Sequence, residues 1–173
     1  MTTSPAAAVG APSAAPSAFD AAALAARVRA AQRHLGAAPG AARTAVLHAL
    51  DEILGQRAAD ILEANRIDLE EADRTGLEKP LLKRLKLDAD KLDVLRDGVR
   101  QLAELTDPIG AVRRHTQLDD GLVLRQVHSP LGVLLIIFES RPEAVIQIGA
   151  LALRAGDGVI LKGGAEATAS NRV

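Results

Sequence analysis

A continuous apolar run, Leu131 to Phe138, limits what this chain can fold into more than any other feature. Eight such residues in a row, bounded by turn signals, describe a strand buried on both faces. Glu139-Ser140-Arg141-Pro142 breaks the run with two charges, a hydroxyl and a helix-starting proline. An apolar helix follows and leads to a second short strand, Val159-Ile160-Leu161, which ends in Lys162-Gly163-Gly164. Strand, polar turn, helix, strand, polar turn is a βαβ unit, spanning Ser129 to Asn171. Its polar residues gather where both strands end, the edge at which open α/β sheets bind ligands.

The residues before this unit read as scaffold. Helical periodicity begins at Phe19. Leu24, Val28, Ala31 and Leu35 fall on one face, and Gly36 with Pro39-Gly40 ends that helix. A second helix turns Val46, Leu50, Ile53 and Leu54 inward. A third runs from about Arg57 to Arg74 and closes at Gly76, with Asp68, Glu70, Glu71 and Asp73 expected on a solvated face. Pro80 opens a short turn, Leu81 to Leu85. Asp88 is a good N-cap for a fourth long helix reaching about Leu105, where Asp107-Pro108-Ile109-Gly110 stops it. The period then changes. Ala111 to Leu118 and Leu122 to Val127 flank Asp119-Asp120-Gly121, and Asp-Gly between two β-like runs signals a hairpin. The organisation expected is an Ala/Pro/Ser-rich disordered tail over 1–18, a helical region over 19–110, a hairpin over 111–128 and an incomplete βαβ over 129–173. Glu166 to Val173 reads as the first turns of a helix. A lone βαβ with one hairpin leaves wide apolar edges, so the chain reads as the front part of a larger domain.

Composition removes several function classes. Lys and Arg total 21 against 22 Asp and Glu, so no field that would attract a polyanion is implied. With two Phe and no Tyr or Trp there is no base-stacking platform, and no nucleic-acid partner is expected. Zero Cys excludes disulfides and thiolate metal sites, and it removes the commonest nucleophile of carbonyl chemistry. No apolar run approaches the roughly 20 residues of a membrane span. The uncharged start lacks the basic residues of a signal or transit peptide, so the expected location is the cytoplasm.

The motifs each carry two readings. Gly156-Asp157-Gly158 precedes a strand and lacks a third glycine, so it reads as a helix-to-strand turn and not as a dinucleotide fingerprint. Lys162-Gly163-Gly164 ends a strand. It is either an ordinary strand-to-helix turn or a place where backbone N–H groups approach a phosphate and the lysine meets a ribose hydroxyl. Arg141 either pairs with an anionic ligand through its planar fork or forms a structural salt bridge with Glu139 or Glu143. His34, His48, His115 and His128 have no ligand spacing, and no metal is expected. Ser129 has only His128 as a neighbouring base, and adjacent strand residues point to opposite faces.

Four ordered blocks carry a family resemblance: ILEANRIDLEEADRTGL (61–77), LLKRLKLDADKLDVLRDGVRQLAELTDPIG (81–110), SPLGVLLIIFESRP (129–142) and VILKGGAEATASN (159–171). From about residue 24 onward the chain resembles the gamma-glutamyl phosphate reductases, or glutamate-5-semialdehyde dehydrogenases, of the aldehyde dehydrogenase superfamily. The PLGV strand suggests only the superfamily; FESRP, LKGGAEA and GVRQLAELTDPIG point to the reductases.

The resemblance implies an α/β fold: N-terminal helices and a β-hairpin leading into the first βαβ of an aldehyde-dehydrogenase-like, Rossmann-type nucleotide-binding domain, truncated. It implies NADPH-dependent reduction of L-glutamyl 5-phosphate to L-glutamate 5-semialdehyde with release of phosphate, in proline biosynthesis. A cysteine thiolate is the nucleophile of that reaction. The resemblance sets Lys162, Gly163, Gly164 and Glu166 beside the NADPH ribose, and Ser140 and Arg141 near the substrate or its phosphate. It makes the hairpin part of an oligomerisation arm, with a homo-oligomer expected of the full-length enzyme. Two departures matter. Reductases usually carry Asn after ESRP, where this chain has Glu143. The catalytic cysteine lies beyond the position matching Val173, so these 173 residues are expected to be inactive alone. The alternatives are a non-catalytic remnant that binds nucleotide or a full-length subunit, and another aldehyde dehydrogenase.

Overall fold

The computed structural model describes residues 19–173. The stretch expected to be a disordered tail, residues 1–18, lies outside the described residues. Helix α1 (Ala21–Ala37) starts at Asp20, whose carboxylate accepts the Ala23 N–H at 2.9 Å. Helix α2 (Gly40–Gln56) follows Pro39, and α3 (Ala58–Arg74) runs out before Gly76. The short α4 (Lys79–Leu85) has Pro80 in its first turn. Helix α5 (Ala89–Glu104) starts at Asp88, which accepts the Lys91 N–H at 3.1 Å, as its place before an apolar-periodic segment predicts. Strands β1 (Val112–Asp119) and β2 (Leu122–Val127) form an antiparallel ribbon. Strands β3 (Val133–Ile137) and β4 (Gly158–Lys162) pair in parallel and are joined by α6 (Glu143–Ala155). The expected βαβ unit is present.

Helices α2, α5 and α6 share one core, built on Leu47, Leu54, Leu92, Leu95, Val99 and Ala150. A smaller cluster joins Ala72 of α3 and Leu85 of α4 to Ala167, just past β4. Helix α1 lies against the β3–β4 pair. The Gln32 amide donates to the Gly156 carbonyl at 2.9 Å, and a Cβ at Gly158 would stand 2.9 Å from the Val28 side chain. Gly156 makes the sharp turn from α6 into β4 at φ +72, where a side chain would also strike Ile109. The Gly156-Asp157-Gly158 sequence is therefore a helix-to-strand turn.

Two buried polar clamps hold the layers together. Arg43, only 2% exposed, donates to the carbonyls of Leu35 (3.2 Å) and Ala38 (2.6 Å) and pairs with Asp107 at 2.5 Å. It thus ties the end of α1 and the residues just past α5 to α2. Asn65, 1% exposed, donates to the Leu85 carbonyl at 2.9 Å and accepts the Leu87 N–H at 2.8 Å. Replacing it strands two buried backbone groups. Asn65→Leu is expected to lower stability by about 2 kcal/mol, read as a lower urea midpoint at unchanged m. An unshifted midpoint would contradict this role.

The structure corrects four details. In α2, Leu54 is buried and Leu50 partly buried as expected, but Leu47 is fully buried while Val46 and Ile53 are about half exposed, because the inward face also carries buried Arg43. Asp68 is not on a solvated face: it is 6% exposed and accepts the N–H groups of Ala169 (2.9 Å) and Ser170 (2.7 Å) and the Ser170 hydroxyl (2.6 Å). Strand β3 is not buried on both faces. Leu135 and Ile137 are 62% and 65% exposed, since among the described residues β4 is the one strand paired with it and the helices leave part of its surface open. Residues 166–173 do not start an α-helix. The chain instead forms two 3₁₀ turns, Ala165–Ala167 and Ser170–Arg172, and the Asp68 carboxylate accepts the N–H groups at the start of the second.

The ribbon β1–β2 is exposed along nearly its whole length on both faces, including Val112, Leu118, Leu122, Leu124 and Val127. No helix of the described residues is long and apolar enough to cross a membrane. An apolar groove of about 450 Å³ lies between α5 and α6, lined in part by Val94, Leu102, Ile146 and Leu151, and away from the strand ends.

Candidate functional site

The residues expected to carry function are brought together at one edge. Val133 pairs with Gly158 and Ile137 with Lys162, so the parallel strands finish side by side. The ladder closes with the Phe138 N–H on the Lys162 carbonyl at 3.1 Å. The β-branched Val133, Ile136, Ile137, Val159 and Ile160 suit an extended backbone. Beyond them the chain turns twice, through Glu139–Pro142 into α6 and through Gly163–Gly164 into the first 3₁₀ turn.

Ser140 is the most constrained residue of the first turn. It is 1% exposed and has φ +49, the one non-glycine among the described residues with positive φ. Both of its donors, the N–H and the hydroxyl, go to Glu166 Oε1, the hydroxyl at 3.0 Å. Two groups assigned by resemblance to different ligands thus meet each other. Burial alone would raise the Glu166 carboxyl. Hydrogen bonds from its own N–H and from the Ser140 N–H and hydroxyl, with the Lys162 charge, outweigh that and hold it below the ordinary glutamate value. Glu166 therefore accepts the two Ser140 protons as an ionised carboxylate at neutral pH.

Arg141 is exposed, and among the described residues it forms no salt bridge with Glu139 or Glu143. Glu143 stands in the first turn of α6 and has a buried Oε2 without a hydrogen-bond partner. Lys162 is exposed at the end of β4.

The two glycines have internal neighbours. A Cβ on Gly163 would lie 2.5 Å from the Asn171 amide nitrogen and 3.4 Å from the Phe138 ring, and one on Gly164 would overlap the Glu166 carboxylate. Their missing side chains give room to Asn171 and Glu166. Asn171 and Phe138 were not singled out from the sequence. The one signal available was that both fall inside the blocks that carry the resemblance. The four histidines do not gather here; His34, for one, contacts the Ala30 carbonyl within its own helix at 2.9 Å. Among the described residues no group of three or more His, Cys, Asp or Glu could hold a metal ion.

No family model matches the chain. Curated proteins do. It is 50% identical over 144 residues to the gamma-glutamyl phosphate reductase of Synechococcus sp. strain CC9605, covering 83% of this chain and 33% of that protein. It is 48% identical over 149 residues to the reductase of Prochlorococcus marinus strain MIT 9303, covering 86% and 34%. The chain is a homologue of the gamma-glutamyl phosphate reductases. It spans about a third of the length of the curated relatives it matches and corresponds to an N-terminal portion of them. Solved reductases agree. The Saccharomyces cerevisiae enzyme superposes with a TM-score of 0.84 at 44% identity over 87% of this chain and 38% of its own. The Thermotoga maritima enzyme gives 0.81 at 35% identity over 86% and 36%. The helices, the ribbon and the parallel pair thus follow an arrangement found in solved reductases.

Proposed function

We propose that the chain contributes the nucleotide edge of an NADPH-dependent reductase that converts L-glutamyl 5-phosphate to L-glutamate 5-semialdehyde, in proline biosynthesis and in the cytoplasm. The observation that carries this reading is the convergence of the Lys162 and Arg141 turns at one edge of a parallel strand pair, in a chain half identical to named reductases. On this reading β3–α6–β4 is the first βαβ of a Rossmann-type domain, preceded by a helical region (19–110) and the hairpin (111–128).

The residues present fit a nucleotide ribose. Lys162 offers an exposed ammonium, and Glu166 offers a carboxylate held ionised on the same turn. Together they supply a donor and an acceptor for vicinal hydroxyls, with Gly163 and Gly164 keeping the turn narrow. Bound NADPH supplies the hydride of the reaction. Arg141 supplies a cation for the substrate's phosphate, and buried Ser140 fixes the backbone from which Arg141 projects. The attack on the acyl phosphate needs a thiolate, and these residues contain no cysteine.

The test is a titration of NADP+ into the purified chain. Lys162→Ala is expected to weaken binding about tenfold, the scale of one charge-assisted hydrogen bond. Unaltered affinity would remove Lys162 from the site, and no binding by the unsubstituted chain would overturn the nucleotide reading. A second reading has its own observation: the ribbon, exposed on both faces and carrying Leu118, Leu122, Leu124 and Val127 among its polar residues, supports association with other reductase subunits, in a homo-oligomer or as a non-catalytic remnant. The names of the relatives argue against another aldehyde dehydrogenase.

A further inference from the structure

We propose that Glu166 is a positioning residue that ties the two strand-end turns into one unit, so that a nucleotide on the Lys162 turn tightens the turn carrying Ser140 and Arg141. The proposal rests on the nucleotide reading of the Lys162 turn for its second half only. Three observations carry it. Ser140 sits in a left-handed conformation that a non-glycine residue keeps only where its surroundings fix it. What fixes it is a single oxygen, Glu166 Oε1, reached from 26 residues away and accepting both the Ser140 N–H and its hydroxyl. Gly164 is the third: any side chain there would overlap the Glu166 carboxylate, so the second turn is shaped to let Glu166 lean onto the first. Ser140 is buried, so water does not readily replace that acceptor. Arg141, the next residue, inherits its direction from this contact.

The experiment is amide hydrogen exchange on the isotope-labelled 173-residue chain, followed by NMR with and without NADP+. The Phe138 amide, bonded to the Lys162 carbonyl, is the internal reference for the strand ladder. Without ligand, Glu166→Ala is expected to speed exchange at Ser140 about tenfold or more relative to Phe138, the scale of losing a hydrogen bond to a charged group. Glu166→Gln, which keeps an acceptor but no charge, is expected to fall between. A uniform rise at both amides marks global unfolding of the alanine variant, and the glutamine variant then decides. Ser140 exchange unchanged relative to Phe138 in the folded variant overturns the tie. With NADP+, the Ser140 amide of the unsubstituted chain is expected to exchange more slowly still, and this response is lost in Glu166→Gln at saturating nucleotide. A purely structural contact gives no such response, and NADP+ binding without it overturns the coupling. If the unsubstituted chain binds no NADP+, the nucleotide reading fails together with the coupling, while the ligand-free comparison still judges the tie itself.

Discussion

The purified 173-residue chain, given NADPH and L-glutamyl 5-phosphate, is expected to oxidise NADPH no faster than the protein-free mixture. Acyl transfer from an anionic acyl phosphate needs a strong nucleophile, and a thiolate is the one present in useful amount near neutral pH. The chain has no cysteine. Its other candidates at the strand edge are poor substitutes. The Ser140 hydroxyl is 1% exposed and already donates to a carboxylate, Glu166, and not to an imidazole. Lys162 is a solvated ammonium at the end of a strand. Loss of a nucleophile costs on the order of a millionfold in well-studied hydrolases, which puts any residual rate below detection. A rate that rises in proportion to added protein would overturn this expectation and would require a nucleophile among these residues.

The second large effect concerns folding. Asp107→Ala is expected to lower stability by roughly 3 kcal/mol, because it leaves the buried Arg43 guanidinium without its counter-charge. The figure sits at the lower end for a broken buried pair because Asp107 itself is 31% exposed. For a chain of this length that is a drop of roughly 6–12 °C in melting temperature. The double change Arg43→Met with Asp107→Ala is expected to recover part of the loss, since the unpaired charge goes with the arginine. A single variant melting within about 2 °C of the parent would show that water reaches Arg43. The pH dependence has a defined sign. Burial would raise the Asp107 carboxyl, but hydrogen bonds from Arg43 and the Ile109 N–H, with the charges of Arg43 and Arg154, hold it below the ordinary aspartate value. Its contribution is therefore fully present above the ordinary carboxylate range and fades as pH falls through the depressed value. The difference in stability between parent and Asp107→Ala is expected to shrink below about pH 4.

Much of this architecture can be read from local signals. Asp88 marks the start of α5, Gly76 the end of α3, and the switch from helical period to paired β-runs at Ala111 marks the ribbon. The βαβ unit follows from two apolar runs separated by a helix with Pro142 in front of it. What escaped the sequence depends on partners far along the chain. Asp68 looks like part of an acidic surface until the N–H groups of Ala169 and Ser170, a hundred residues away, arrive to use it. The face of α2 includes an arginine buried against Asp107, and hydrophobic period alone finds Leu54 but places Val46 and Ile53 there instead of Leu47. In the candidate site, the types and places of Lys162, Arg141 and the two glycines were legible from their positions after strands. That Ser140 and Glu166 contact each other was not, because nothing in either turn specifies which of its polar groups faces the adjacent turn.

Gln32 of α1 bonds to Gly156 at a separation of 124 residues. At ~5–20 residues per second, a ribosome needs roughly 6–25 s to deliver the second partner after the first. Throughout that interval α1 has the helical signals it needs but no strand to cover, with Leu24 and Val28 exposed to whatever the growing chain meets. Among the described residues, helix α1 therefore docks on the strands it covers only after β4 has been delivered, although Arg43 can reach its end much sooner.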